Sequence, residues 1–180
     1  MSDTALPAAP EALLAEMMID AVEKVFGTMV RRKANLIRQF VSTRDHSHAP
    51  DLEGTDISVV VGTVGFIGKI NGVIYLYLPE KLATRLACDM LGLEPSDLGD
   101  GDAETVNDAI GELTNMIVGT FKNQLCDRGL DCHLTIPSIL RGSHFKVQPV
   151  ANALRSVFEF ETTDQRFLAD VLIDPSHTTL

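Results

Sequence analysis

Residues 57–92 read ISVVVGTVGFIGKINGVIYLYLPEKLATRLACDMLG, and this stretch decides the fold. Its first part is rich in β-branched residues and spaced by Gly62, Gly65 and Gly68. Glycines there weaken a strand but admit twist or the close approach of another backbone. Asn71-Gly72 is a favoured pair for a tight hairpin turn. Beyond it, VIYLYL alternates and sets Tyr75 and Tyr77 on one face, with Ile74, Leu76 and Leu78 on the other. The spacing predicts an antiparallel hairpin. Pro79 then opens a helix at a position where its missing N–H costs nothing. Gly92 ends that helix as a left-handed cap.

Working outward, residues 1–10 contain two prolines and read as a loose tail. From Glu11 to about Arg32, Leu14, Met17, Met18, Ala21, Val22, Val25, Phe26 and Met29 recur at helical spacing. Residues 34–43 read as an edge strand, with a helix extension as the alternative, and 44–54 as a loop. After an acidic loop at 93–101, Asp102 caps a long helix that runs to about Arg128 and stops at Gly129. Three strand-like runs follow at 131–140, 154–161 and 166–173, the last two joined by a turn at Thr162–Gln165. A frayed tail, 176–180, is expected to leave one domain over 11–175. Paired hairpins with helices between them imply an α+β fold, a mostly antiparallel sheet with long helices packed on one face.

Composition bounds the function. The chain has 180 residues, 45% hydrophobic and 22% charged, which fits a globular protein with a sizeable core. A formal net charge of -10 disfavours a general nucleic-acid binder, which would meet repulsion at every phosphate. The local basic group Arg31, Arg32, Lys33 and Arg38 reads first as a solvated helix end and second as a contact for an acidic partner. No apolar run approaches the roughly 20 residues a bilayer requires. The acidic start MSDTALPAAPEALLAEMM is unlike a signal peptide, so the cytoplasm is the expected location. Cys88, Cys126 and Cys132 form no CxxC pair and suit reduced thiols, with Cys88 and Cys126 read as core filler.

The long helix carries the chemistry. Val106, Ile110, Leu113, Ile117, Phe121 and Leu125 form its apolar stripe. Asp108, Glu112, Asn115 and Gly119 lie together on a different face, pointing to solvent or to a partner. By helix physics alone such a face is a solvated surface. Gly111 and Gly119, each costing about 1 kcal/mol against Ala in a helix interior, and the poor helix former Asn115 argue for more.

The stretch Asp108-Ala-Ile-Gly-Glu112-Leu-Thr-Asn115 is similar to the signature of the CheC/CheX/FliY phosphatases, and Pro137 in LTIPSIL answers the proline that family carries downstream. The segment GFIGKINGVIYLYLPEKLATRLACDMLGL resembles the family's strand–strand–helix unit, and the likeness spans roughly residues 10–175. The resemblance implies a phosphatase acting on the aspartyl phosphate of a CheY-like receiver, which supplies its own Mg²⁺, so that no cofactor belongs to this chain. It implies that Asn115 orients the attacking water and that Glu112 pairs with the receiver's active-site Lys. Asp108 would play a supporting part, and Gly119 would let the receiver approach. The helices EMMIDAVEKVFG and EKLATRLACDMLG lack the pattern, so a single site is implied, as in CheX, and with it a homodimer.

Two other readings stand beside this one. The first is a non-catalytic adaptor of the same fold, although retention of both Glu112 and Asn115 favours activity. The second is a metal or small-molecule module built on the loop holding Asp45, His46, His48 and Asp51, which lacks a further ligand pair at known spacing. Ser138 and Ser143 have no evident base partner, and no nucleotide-binding or hydrolase motif is present.

Overall fold

The computed structural model describes residues 8–42, 58–98, 102–143, 153–163 and 165–174. Three α-helices pack on an antiparallel sheet. They are α1 (Ala8–Val25), α2 (Glu80–Leu91) and α3 (Ala103–Cys126). The strands are β1 (Asn35–Ser42), β2 (Val59–Gly68), β3 (Asn71–Pro79), β4 (Cys132–Leu134), β5 (Ser138–Gly142), β6 (Leu154–Thr162) and β7 (Gln165–Asp174). Their spatial order is β1-β6-β7-β3-β2-β4, with β5 also on β2, so β1 and the β4/β5 pair form the two edges.

The alternation of VIYLYL holds. Ile74, Leu76 and Leu78 join Val60, Val64 and Phe66 in the main core, against Val106, Ile110, Leu113, Ile117, Phe121 and Leu125 of α3. Tyr75 and Tyr77 face the other way, with Val59, Val61, Val157 and Leu168. Aromatic stacking closes the far end of the helix side. The rings of Phe26 and Phe167 lie 4.8 Å apart, and those of Phe160 and Phe167 5.3 Å apart.

The hairpin turn is not at Asn71-Gly72. Phe66 pairs with Gly72, so the chain reverses at Lys69-Ile70 and both Asn71 and Gly72 belong to β3. Asn71 still shapes the turn, because its Oδ1 accepts the Gly68 N–H at 2.9 Å. Gly72 is glycine for packing. A Cβ there would stand 2.3 Å from the Phe66 ring and 2.5 Å from the Leu172 carbonyl oxygen.

Five other expectations are refined. The first helix is α-helical only to Val25, followed by a π-helical turn over Phe26–Val30 that Arg31 ends with φ of 58°. Residues 34–43 hold strand β1, not a helix extension. The run 131–140 is two short strands, parted at Thr135–Pro137, where a proline has no N–H to give the ladder. Cys88 and Cys132 are buried while Cys126 is only half-buried, and all three thiols are free. Two of the four basic residues are paired within the fold. Arg32 pairs with Asp89 of α2, and Arg38, which lies on β1 and not at a helix end, pairs with Glu159 and covers the Phe40 ring.

Candidate functional site

The geometry of α3 follows from its stripe. With Val106, Ile110, Leu113, Ile117, Phe121 and Leu125 all buried, the opposite side of the helix must face outward. Asp108 and Glu112 are exposed, and Asn115 and Gly119 are half-buried at the margin of that face. Glu112 and Asn115 stand three residues apart, one turn along the same face. From Asp108 to Gly119 the row is about 17 Å long. All four residues singled out from the sequence therefore share one surface.

The edge strand borders this row. An ideal Cβ on Gly111 would lie 3.9 Å from Ile139 of β5, and one on Gly119 would lie 3.9 Å from Leu134 of β4. The strand thus runs antiparallel beside the helix, and its interruption at Thr135–Pro137 falls level with the turn that carries Asn115. That interruption is fixed in place. Thr135 N–H donates to the Gly65 carbonyl at 2.9 Å, and Gly65 N–H donates to Thr135 Oγ1 at 2.8 Å. Pro137 restrains φ on the far side. Ile136 between them is 87% exposed, the most exposed large apolar side chain among the described residues.

Neither helix glycine is forced by packing inside the chain, since 3.9 Å is ordinary van der Waals contact. The close approach occurs instead under the helix, at Gly62 of β2. A Cβ there would fall 2.0 Å from Thr114 Oγ1, which donates to the Ile110 carbonyl at 2.7 Å. Gly68 behaves alike against the Asp131 carbonyl, at 2.3 Å. Sequence reading flagged these strand glycines correctly. It gave no hint of Arg141, which ties β5 to the starts of α2 and α3, nor of Ile136.

Among the described residues no three His, Cys, Asp or Glu side chains come together as metal ligands. The His46/His48 loop with Asp45 and Asp51 lies outside the described residues. No helix of the described residues is long and apolar enough to cross a membrane.

An antiparallel sheet backed by three helices, one of which presents a carboxylate and an amide a turn apart on its outer face, defines an α+β protein with a helix-borne candidate site. The sequence model of the family "Chemotaxis phosphatase CheX" matches residues 60–161, more than half of the chain and all of α3, and the protein belongs to that family. No curated protein matches the sequence significantly. Among solved structures, the chain is similar to the chemotaxis protein CheX from Desulfovibrio desulfuricans, with a TM-score of 0.73 at 22% identity over 90% of this chain and 99% of that one. It is also similar to a chain of the CheX–CheY–BeF3–Mg²⁺ complex from Borrelia burgdorferi, with a TM-score of 0.67 at 20% identity over 89% and 97%. FliY from Thermotoga maritima gives a TM-score of 0.68 at 15% identity over 93% and 91%. At these identities the likeness establishes the fold.

Proposed function

We propose that this protein hydrolyses the aspartyl phosphate of a CheY-like receiver. The observation that carries the reading is that Glu112 and Asn115 sit one turn apart on the outward face of α3, within the residues the family model matches. The amide of Asn115 orients a water in line with the phosphorus. The water oxygen bonds to phosphorus, the bond from phosphorus to the receiver's Asp oxygen breaks, and inorganic phosphate leaves. Positioning of this kind needs no side chain that titrates near neutrality. The receiver brings Mg²⁺ and its own phosphate-binding groups, so this chain needs no cofactor. Glu112 docks the receiver's Lys, and Asp108 adds negative charge one turn earlier. Gly119 leaves room for the partner's approach, an added Cβ meeting nothing nearer than Leu134 at 3.9 Å. Ile136, an exposed apolar side chain on a turn tied to β2, suits a protein partner better than a small solute. Family membership also supports a homodimer, which sedimentation of the purified protein would reveal.

The test is the rate of phosphate loss from a phosphorylated receiver, measured against its own spontaneous loss. Asn115→Ala is expected to lower the turnover about 10²-fold, toward the spontaneous rate, while receiver binding stays within a few-fold. Glu112→Ala is expected to weaken binding. A wild-type protein that binds a receiver yet leaves its phosphate lifetime unchanged is an adaptor, and the phosphatase reading falls.

A further inference from the structure

Arg141 holds an odd place for a cation. It lies opposite Val60 in the β5–β2 register, so it shares the helix face of the sheet with a core residue. Its guanidinium reaches the first turns of two helices. Nη1 donates to Glu80 Oε1 at 2.8 Å in α2. Nε donates to Asn107 Oδ1 at 2.6 Å, and Nη2 to the Ala103 carbonyl at 3.3 Å, both in α3. Helix starts carry partial positive charge, so a cation there works against two dipoles. The fork of charge-assisted hydrogen bonds offsets that repulsion, and it does so by fixing three elements at one point.

What the fork fixes is the front half of α3. The back half is tied separately, by Gln124 to Asp20 and the Met17 carbonyl on α1. Between the Arg141 anchor at Ala103–Asn107 and the pair Glu112/Asn115 stands Gly111, one of the two glycines of α3 and the one on the Arg141 side of the pair. We infer that Arg141 is a positioning residue: by clamping the first turns of α3 to the edge strand, it sets where Glu112 and Asn115 stand relative to the Thr135–Pro137 turn of that same strand. The kinetic consequence rests on the phosphatase reading, while the structural one does not.

Two measurements on the full chain test it together. In hydrogen exchange of the free protein, Arg141→Met should speed the amides of residues 103–112 by about tenfold or more, with those of 117–126 changed less than about twofold. In receiver dephosphorylation, the same variant should lower kcat about tenfold with KM within about twofold, as expected for misplacement without lost docking surface. Asn107→Ala keeps the Arg141–Glu80 link and should reproduce both effects, and the double variant should be no worse than Arg141→Met. Arg141→Lys keeps the charge without the planar fork and should restore only part of kcat. Unchanged exchange in 103–112, or faster exchange spread evenly over the whole chain, overturns the proposal. Wild-type kcat in both single variants overturns its catalytic half. If the wild type itself gives no rate above the receiver's spontaneous loss, the phosphatase reading fails, and the exchange pattern alone still decides whether Arg141 clamps α3.

Discussion

At the scale of single residues, two glycines that look alike in the sequence do opposite things. Gly62 lies where β2 passes under α3, and a methyl there would fall 2.0 Å from Thr114 Oγ1 and 3.0 Å from Thr114 Cβ. Thr114 is held by its bond to the Ile110 carbonyl and cannot turn away freely. Gly62→Ala should therefore cost about 1–3 kcal/mol in denaturant unfolding. Gly111 meets nothing nearer than Ile139 at 3.9 Å, and Gly111→Ala should gain up to about 1 kcal/mol by helix propensity. If Gly111→Ala destabilised the protein instead, the helix would be using that position for something its packing does not reveal. Both glycines could be marked from the sequence as places of possible close approach. Telling them apart needs the faces that actually meet, and these depend on the tertiary fold.

At the scale of elements, periodicity was a good guide and local turn chemistry a poor one. The stripe of α3 and the alternation of β3 were legible because burial enforces them along their whole length. The hairpin turn was misplaced by two residues because Asn71-Gly72 is favoured locally, whereas register is set by the full ladder from Val59 to Phe66. The true turn is tied elsewhere. Lys69 Nζ donates to Asp131 Oδ2 at 2.8 Å and to the Gly129 carbonyl at 3.0 Å, joining the β2–β3 turn to the end of α3. The hydrogen bond from Lys69, then its charge, holds the Asp131 carboxyl below the usual carboxylate range. A depressed native value means that the stabilisation is present above the ordinary carboxylate range and is lost as pH falls through the native value. In a carboxyl-detected NMR titration Asp131 should titrate low in the wild type and return to the ordinary range in Lys69→Met. The same titration midpoint in both proteins would mean that the two chain segments are not joined by this pair in solution. The candidate row Asp108, Glu112, Asn115 and Gly119 was legible for the same reason as the stripe, as its complement on one helix. Arg141 was not, since a lone arginine near the Gly/Ser/His stretch after β5 has no pattern to report.

At the scale of the whole molecule, the middle of the sheet is buried on both faces, and only the helix side is an ordinary apolar core. On the other face Arg155 of β6 and Asp170 of β7 form a fully buried pair, with Nη2 2.6 Å from Oδ2 and Nε 3.0 Å from Oδ1. Burial pushes the Asp170 carboxyl up, and the adjacent guanidinium pulls it back. Tyr77 lies in the same layer, where burial and then the charge of Asp170 push its phenol well up. Alternation in the sequence announced two faces without saying that the second would be closed and hold a charge pair. A buried pair of this kind contributes little net stability but is costly to break, because one charge is then left without the other. Asp170→Asn should cost about 3–5 kcal/mol in equilibrium unfolding, whereas Arg155→Met with Asp170→Leu should fall within about 1 kcal/mol of the wild type or exceed it. The sheet between this pair and α3 also carries the test of independence. The double variant leaves every contact of Arg141, Thr114 and the Thr135–Pro137 turn in place, so receiver dephosphorylation should survive it. Loss of activity with stability intact would mean that the far face of the sheet helps to set the α3 row.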